Sequence, residues 1–396
     1  MNLKTLDGLE LAGKVVFLRC DLNVPIDKKG KITDPTKIKR HKETISELQR
    51  KEAKIIILTH LGRPKGQVVR ELSLNYIIEE FAKEMQLAEV TVLPFCRLDV
   101  VRKVIKNMKK SEITLMENIR FYPEEEKNDH NFAKQLASFG DFYINDAFSV
   151  SHRKHVSTYG ISKFLPSYLG RAIQLELEML NKINENLSKP VMAMIGGSKI
   201  STKINLLKNL LIKADYLVIG GAMANTFLLA KGFNIGLSVV EKNKIEIAKN
   251  ILKEAEGKKC EIILPTDVVI AESLESNDTI ANVELKNIKS NQSIFDIGEK
   301  TIEKISNTMA ICKTLFWNGP LGVYEKKPFD NSTNVIGRTA AVLTKGKILT
   351  SVIGGGDTVA ALNAEELSGG FSYVSIAGGA LIEWLEGKKL PGLEFL

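Results

Sequence analysis

Cysteine is scarce: Cys20, Cys96, Cys260 and Cys312 are spread over 396 residues, and no two stand at Cys-x-x-Cys spacing. That excludes a disulfide framework and a zinc knuckle, and implies reduced, structural thiols. The five histidines form no metal-ligand pattern either. No apolar run reaches membrane-spanning length, and the first residues lack the basic-then-apolar order of a secretory leader. A cytoplasmic protein with no membrane partner is expected. Charge of one sign is not concentrated: 55 basic against 47 acidic residues leave +8, in short tracts such as Lys258-Lys259 and Lys388-Lys389. That balance suits a small anionic ligand and gives no dedicated nucleic-acid surface. Two nucleotide signatures are missing as well. There is no G-x-x-x-x-G-K-[ST], and no G-x-G-x-x-G at the first strand of either half, which sets aside P-loop enzymes and dinucleotide-dependent oxidoreductases.

What the chain does have is rhythm. Short apolar runs (15–18, 55–58, 113–115 and 141–144) alternate with amphipathic stretches, of which 74–85 has apolar residues at helical spacing. The rhythm restarts after residue 190 with 191–195, 216–219, 261–264, 314–317, 348–353 and 373–376. Strands alternating with helices predict parallel βαβ units, and continuous apolar strands predict sheets covered on both faces. A chain of this length exceeds one usual core. We therefore expect an α/β protein of two Rossmann-like domains, each a parallel sheet flanked by helices, facing each other across a cleft. The expected divisions are 1–170, an interdomain helix 171–188 ahead of Pro190, a second domain 189–380 and a tail 381–396.

In open parallel sheets, ligands bind beyond the carboxyl ends of the strands, and the unusual residues of this chain fall there. The first half carries Arg19–Pro25, His60–Pro64, Glu117–Phe121, Asn145–Phe148 and Ser151–Arg153. Arginine's planar fork matches carboxylate and phosphate oxygens, so arginines at successive strand ends imply a small, multiply anionic ligand. Taken singly, His60 and His152 fit a structural role equally well, and Asp21 and Asn23 fit ordinary turns. The second half carries Gly196–Lys203, Gly220–Asn225, Trp317–Glu325 and Gly354-Gly355-Gly356-Asp357-Thr358. Repeated glycine-rich strand ends describe a phosphate cradle, and Asp357 supplies a carboxylate suited to Mg²⁺ beside phosphates. Lys199 and Lys203 share a face if the helix has begun by then. A polyanion half and a nucleotide half together describe a two-domain kinase, since phosphoryl transfer needs alignment and positive charge more than covalent chemistry.

With these motifs in this order, from about residue 5 to Leu396, the chain resembles phosphoglycerate kinase. Pro123–Glu126, His152-Arg153 and the closing Leu385–Gly392 extend the likeness. The resemblance implies reversible transfer of the acyl phosphate of 1,3-bisphosphoglycerate to Mg-ADP, giving 3-phosphoglycerate and ATP, by in-line transfer on domain closure in a monomer. It implies that Asp21, Asn23, Lys37, His60, Arg63, Arg120 and Arg153 hold the glycerate. Gly196, Gly197, Lys199, Lys203, Asn318, Gly354, Gly355, Gly356 and Thr358 would surround the nucleotide phosphates, with Glu325 on the ribose and Asp357 on magnesium. The tail would pack back on the N-terminal domain. The accepting carboxylate is already ionised, so no general base is needed, in keeping with the lack of any nucleophile–base pair.

Two positions depart from the family pattern. Lys37 stands where the family has an arginine bridging the substrate and the migrating phosphoryl. Lysine keeps the charge and loses the fork. Arg40, three residues on, lies on the same face if the segment is helical, so Lys37, Arg40 and Lys199 are the expected catalytic cations. Ile376 replaces a threonine in a Ser-Thr-x-Gly-Gly stretch, removing one hydroxyl.

Overall fold

The computed structural model describes residues 4–27, 30–95, 98–185, 188–375 and 377–396; Cys96 and Ile376 lie outside the described residues. Two compact units emerge, Met1–Leu180 with Lys388–Leu396, and Asn181–Gly387.

In the first unit, β1 (Val15–Arg19), β2 (Lys54–Leu58), β3 (Thr91–Leu93), β4 (Ile113–Met116), β5 (Phe142–Asn145) and β6 (Ser167–Leu169) form one sheet, in the order β3-β4-β2-β1-β5-β6. Every pairing in it is parallel. Alternation along the strands feeds two cores. Val16, Leu18, Ile55 and Ile57 pack on one face with Ile38, Ile45, Leu48 and Phe81, from α1 (Thr36–Lys39), α2 (Lys42–Arg50) and α3 (Ile78–Met85). Phe17, Ile56 and Leu58 pack on the other with Val101, Ile105, Phe132 and Leu136, from α4 (Leu98–Asn107) and α5 (His130–Ala137). Each such side chain, fully buried, contributes roughly 1.5–3 kcal/mol, which is why residues unbroken in apolarity become strands covered on both faces.

The stretch expected as one helix over 74–85 is two pieces, a 3₁₀ turn at Leu74–Tyr76 and then α3. The pieces part at Ile77, whose φ of −114° lies outside the helical range. The first piece is capped by tertiary contacts: the Glu117 carboxylate accepts from Leu74 N at 2.8 Å and from Ser73 Oγ at 2.6 Å, and Ser73 Oγ also accepts from Asn75 N. These answer N–H groups that a helix start leaves without partners. After β6 comes α6 (Arg171–Glu185), within which the chain leaves the first unit. The last residues belong to the first unit: Gly392 N donates to Ser151 O at 2.8 Å, Gly392 O accepts from Asn145 Nδ2 at 2.9 Å, and the Phe395 ring packs on Tyr159.

In the second unit the strands in chain order are β7 (Val191–Ile195), β8 (Tyr216–Ile219), β9 (Glu261–Ile263), β10 (Asp267–Ala271), β11 (Ala281–Glu284), β12 (Ser293–Ile297), β13 (Thr314–Asn318), β14 (Thr350–Gly354) and β15 (Tyr373–Val374). A parallel sheet runs β15-β14-β13-β7-β8-β9, and β11-β10-β12 form a small antiparallel sheet. Helices α7 (Ile204–Lys213), α8 (Gly221–Ala230), α9 (Ile245–Gly257), α10 (Glu299–Ile311), α11 (Asn331–Lys345), α12 (Gly356–Ala364) and α13 (Gly379–Leu385) complete it. Met192, Met194, Leu315, Trp317 and Ile353 are shut in against Ile305, Met309, Ile336 and Leu362 of α10–α12. Central β1 and β13, each flanked by two parallel neighbours, bring their carboxyl ends to the chemically distinctive segments.

Candidate functional site

The first unit gathers its polar residues on the loops after β1, β2, β4 and β5. Asp21 is buried, and its carboxylate receives Lys37 Nζ at 2.9 Å, Ser149 Oγ at 2.5 Å and Asn23 N at 3.1 Å. Burial opposes the charge, but Lys37 and the Ser149 hydroxyl outweigh it, and the carboxyl sits well below the usual range. Asn23 Oδ1 accepts from Gly62 N at 2.8 Å, joining the loop after β1 to the loop after β2. Arg120 Nη1 donates to Gly62 O at 2.9 Å and its Nε lies 3.4 Å from Glu126 Oε1. Its remaining nitrogen, Nη2, is buried with no hydrogen-bond partner among the described residues.

Arginines crowd this region. Arg19 is itself buried, donating to Ser157 Oγ at 2.9 Å and meeting His60 Nδ1 at 3.2 Å, while Ser157 Oγ passes on to Glu125 Oε1 at 2.6 Å. A guanidinium only donates, so His60 Nδ1 is the acceptor and the imidazole proton is on Nε2. Burial, with Arg19 second, keeps that ring's pKa well below its ordinary value, hence neutral. Burial and then Arg19 and Arg153 pull Arg120 down to about 10, and burial and then Arg120 and Arg153 take His155 to about 3. An excess of confined positive charge with an orphaned buried donor is a place made for an anion. Arg153 is half-buried beside His152, at 3.2 Å from its Nε2, and Arg63 is exposed with no partner among the described residues. Arg40 follows α1, and its guanidinium pairs with Glu176 of α6 at 3.4 Å.

The second unit assembles its group on the turns after β7, β13 and β14. These backbones touch. A Cβ on Gly196 would lie 1.9 Å from Pro320 O, so no other residue fits. Lys203 Nζ bridges the same turns, donating to Gly196 O at 2.7 Å and Asn318 Oδ1 at 2.9 Å. Burial lowers the Lys203 pKa to about 8, against a rise from Asp357. Asn318 Nδ2 is buried without a partner among the described residues, another donor held in reserve. Gly355, at φ +94°, makes the entry into α12, and Thr358 Oγ1 accepts from Gly319 N at 2.6 Å. Asp357 is exposed in the first turn of α12.

Beside these turns opens a cavity of about 400 Å³, lined by Gly197, Gly221, Ala222, Asn225, Phe295, Tyr324, Glu325 and Asp357 among others. The structure thus brings Gly197, Glu325 and Asp357 to one cavity, with Lys203, Asn318 and Gly196 adjoining through direct bonds. Lys199 stands apart from the expected helical pairing. It lies in extended backbone ahead of a 3₁₀ turn, Ile200–Thr202, and α7 begins only at Ile204, so Lys199 and Lys203 do not share a helix face. Glu241 is the reason, since its carboxylate binds Ser201 through N and Oγ and anchors the turn. Several lining residues, Val239, Leu274 and Phe295, were not signalled by the sequence; each is apolar and lies outside the glycine-rich motifs.

Comparison with known proteins points to one family. The family model described as phosphoglycerate kinase matches residues 6–388. The phosphoglycerate kinase of Cereibacter sphaeroides (strain ATCC 17025 / ATH 2.4.3) is 45% identical over 100% of both chains. That of Sinorhizobium medicae (strain WSM419) is 47% identical over 100% of this chain and 99% of its own. Among solved structures, phosphoglycerate kinase from Coxiella burnetii superposes with a TM-score of 0.87 at 36% identity, covering 99% of this chain and 98% of that one. The enzyme from Pyrococcus horikoshii OT3 gives 0.83 at 27% identity, covering 100% and 98%.

Proposed function

The chain belongs to the phosphoglycerate kinase family and is a phosphotransferase; from that premise we propose that it moves the acyl phosphate of 1,3-bisphosphoglycerate to Mg-ADP, reversibly. The observation that carries this reading is the buried, unpartnered Nη2 of Arg120 in a region crowded with guanidinium groups. Asp21, Asn23, Lys37, His60, Arg63, Arg120 and Arg153 are assigned to the glycerate. His60 presents Nε2–H and the arginines present forks to carboxylate and phosphate oxygens. Gly196, Gly197, Lys203, Asn318, Gly354, Gly355, Gly356 and Thr358 are assigned to the nucleotide phosphates and Glu325 to the ribose, with Lys199 exposed and able to meet the transferring group.

In the direction of ATP use, a carboxylate oxygen of 3-phosphoglycerate forms the new P–O bond as the bond from the γ-phosphorus to the bridging oxygen breaks. No proton moves. The protein's part is to align the two oxygens and neutralise charge with fixed donors. The two half-sites must meet for this, and closure of one unit on the other is the proposed step, which would also exclude competing water. Magnesium fits the donors present. Asp357 offers one exposed carboxylate beside the phosphate cradle, and one or two carboxylates plus substrate phosphates suffice for this ion. When bound it would supply positive charge that offsets the negative charge of the phosphates.

The test is steady-state turnover with 3-phosphoglycerate and ATP, with and without magnesium. Activity that needs all three upholds the reading, and absence of turnover with both substrates bound overturns it. Lys37 gives a second expected result. Its ammonium is held on Asp21, and a guanidinium there keeps that ion pair while offering a second N–H to the moving phosphoryl. Lys37→Arg should raise kcat by ~3–10-fold, about one charge-assisted hydrogen bond. A kcat that is unchanged or lower would count against Lys37 as a catalytic cation.

A further inference from the structure

A buried line of polar contacts lies beneath Asp21, and the reaction as read above makes no use of it. His41, between α1 and α2, is buried. Its Nδ1 stands 2.7 Å from Asp146 Oδ2, and its Nε2 receives the main-chain N–H of Asp21 at 3.0 Å. The other Asp146 oxygen accepts from Ala172 N, at the second position of α6, at 2.9 Å. One imidazole and one carboxylate therefore connect the start of α6 to the backbone of the residue that orients Lys37.

The ring's protonation follows from its partners. An N–H aimed at Nε2 makes that nitrogen an acceptor, so the proton is on Nδ1, facing Asp146. A second proton on Nε2 would meet the Asp21 N–H head on. The groups facing the ring pull in opposite directions. Burial works against charge, while Cys20 and Asp146 push the ring's pKa well above its ordinary value. Burial keeps Cys20 a neutral thiol, however, which leaves Asp146 alone, and Asp146 is already answered by Nδ1–H and Ala172 N.

The same segment grips α6 at three further points. Thr44 Oγ1 accepts from Arg171 N at 2.8 Å, Glu47 binds the Arg171 side chain at 2.7 Å, and Arg40 meets Glu176. The chain passes from the first unit to the second within α6. A contact that ties the start of α6 to Asp21 thus joins the glycerate residues to the element leading out of their unit. We propose that His41 is a positioning residue, a neutral Nδ1-protonated imidazole that fixes the main chain at Asp21, and with it Lys37, to Asp146 and the start of α6. The inference rests on the assignment of Asp21 and Lys37 to the glycerate.

Two measurements test it. Nitrogen-15 NMR of the imidazole in the full wild-type chain should show the neutral Nδ1–H tautomer from about pH 6 to 8. An Nε2–H or doubly protonated ring overturns the proposal. In kinetics, His41→Ala leaves the Asp21 N–H and the Asp146 carboxylate buried and unanswered. KM for 3-phosphoglycerate should rise ~10-fold or more while KM for ATP stays within about twofold. His41→Gln, whose amide accepts from Asp21 N and donates to Asp146, should recover most of the loss. Equal changes in both KM values, or a glutamine variant no better than alanine, overturn the proposal. Should the alanine variant fail to fold, the tautomer and the glutamine variant decide. Should wild type show no turnover at all, the functional reading fails while the tautomer still upholds or overturns the positioning role.

Discussion

Arg120→Met is expected to lower kcat/KM for 3-phosphoglycerate by ~10²–10³-fold and to leave KM for ATP within about twofold. Methionine keeps most of the stem's bulk on the buried floor and removes all five donors. One of those, Nη1, holds Gly62 O, and through Gly62 the Asn23 loop; another, Nη2, is buried and waiting. Removing one member of a buried charged contact costs about 2–5 kcal/mol of binding, which sets the range. Stability should move differently. Burial and the neighbouring Arg19 and Arg153 work against the Arg120 charge, so the folded chain carries a repulsion that methionine relieves. The melting temperature should therefore stay within about 4 °C of wild type despite the lost Gly62 bond. A large fall in melting temperature, or KM values for both substrates rising together, would make Arg120 a structural residue and remove the observation on which the glycerate assignment rests.

How much of this was legible beforehand depended on where each residue's partners lie. Ile55-Ile56-Ile57-Leu58 and Val191–Ile195 read as strands because both faces are buried, and burial leaves an unbroken apolar run in the sequence. Thr91-Val92-Leu93 and Ser167-Tyr168-Leu169 are short, outer strands of their sheet, partly exposed, and carry no such run. The antiparallel strands β10–β12 mix exposed and buried positions with polar residues such as Asn282 and Asp296. The glycines near the cavity of the second unit announced themselves, since backbone contact as close as that of Gly196 with Pro320 admits nothing larger. Local context also misled. Residues 74–85 have helical periodicity, but the backbone departs from the helix at Ile77, and periodicity of side chains does not report a single φ. Lys199 is likewise separated from α7, by Glu241's hold on Ser201. His41 gave no signal at all, because its meaning comes from Asp146, 105 residues away. Arg40 directly follows α1, and its spacing from Lys37 in the sequence says nothing of Glu176, which it meets.

Lys203→Met should cost ~10²–10³-fold in kcat/KM for ATP, and it should also erase a pH dependence. Its ammonium spans the turns after β7 and β13, and methionine cannot donate to Gly196 O or Asn318 Oδ1. Losing a charged donor at the phosphates and leaving those acceptors unanswered sets the magnitude. Burial lowers the Lys203 pKa to about 8, so the free enzyme loses this cation as pH rises through 8. In wild type kcat/KM for ATP should fall across that range, while kcat, measured with phosphates bound beside the ammonium, should hold to higher pH. Stability runs the other way. The unfolded chain keeps this lysine protonated up to its ordinary 10.5, so between about 8 and 10.5 the unfolded state binds more protons and stability rises with pH. The methionine variant lacks both limbs. Subtracting its melting curve from wild type across pH 7 to 10 isolates this one group, and the wild-type gain should grow steadily above pH 8. A flat difference would mean that Lys203 is charged throughout in the folded chain. The alkaline fall in ATP use would then belong to another group, and Lys203's role would reduce to tying Gly196 to Asn318.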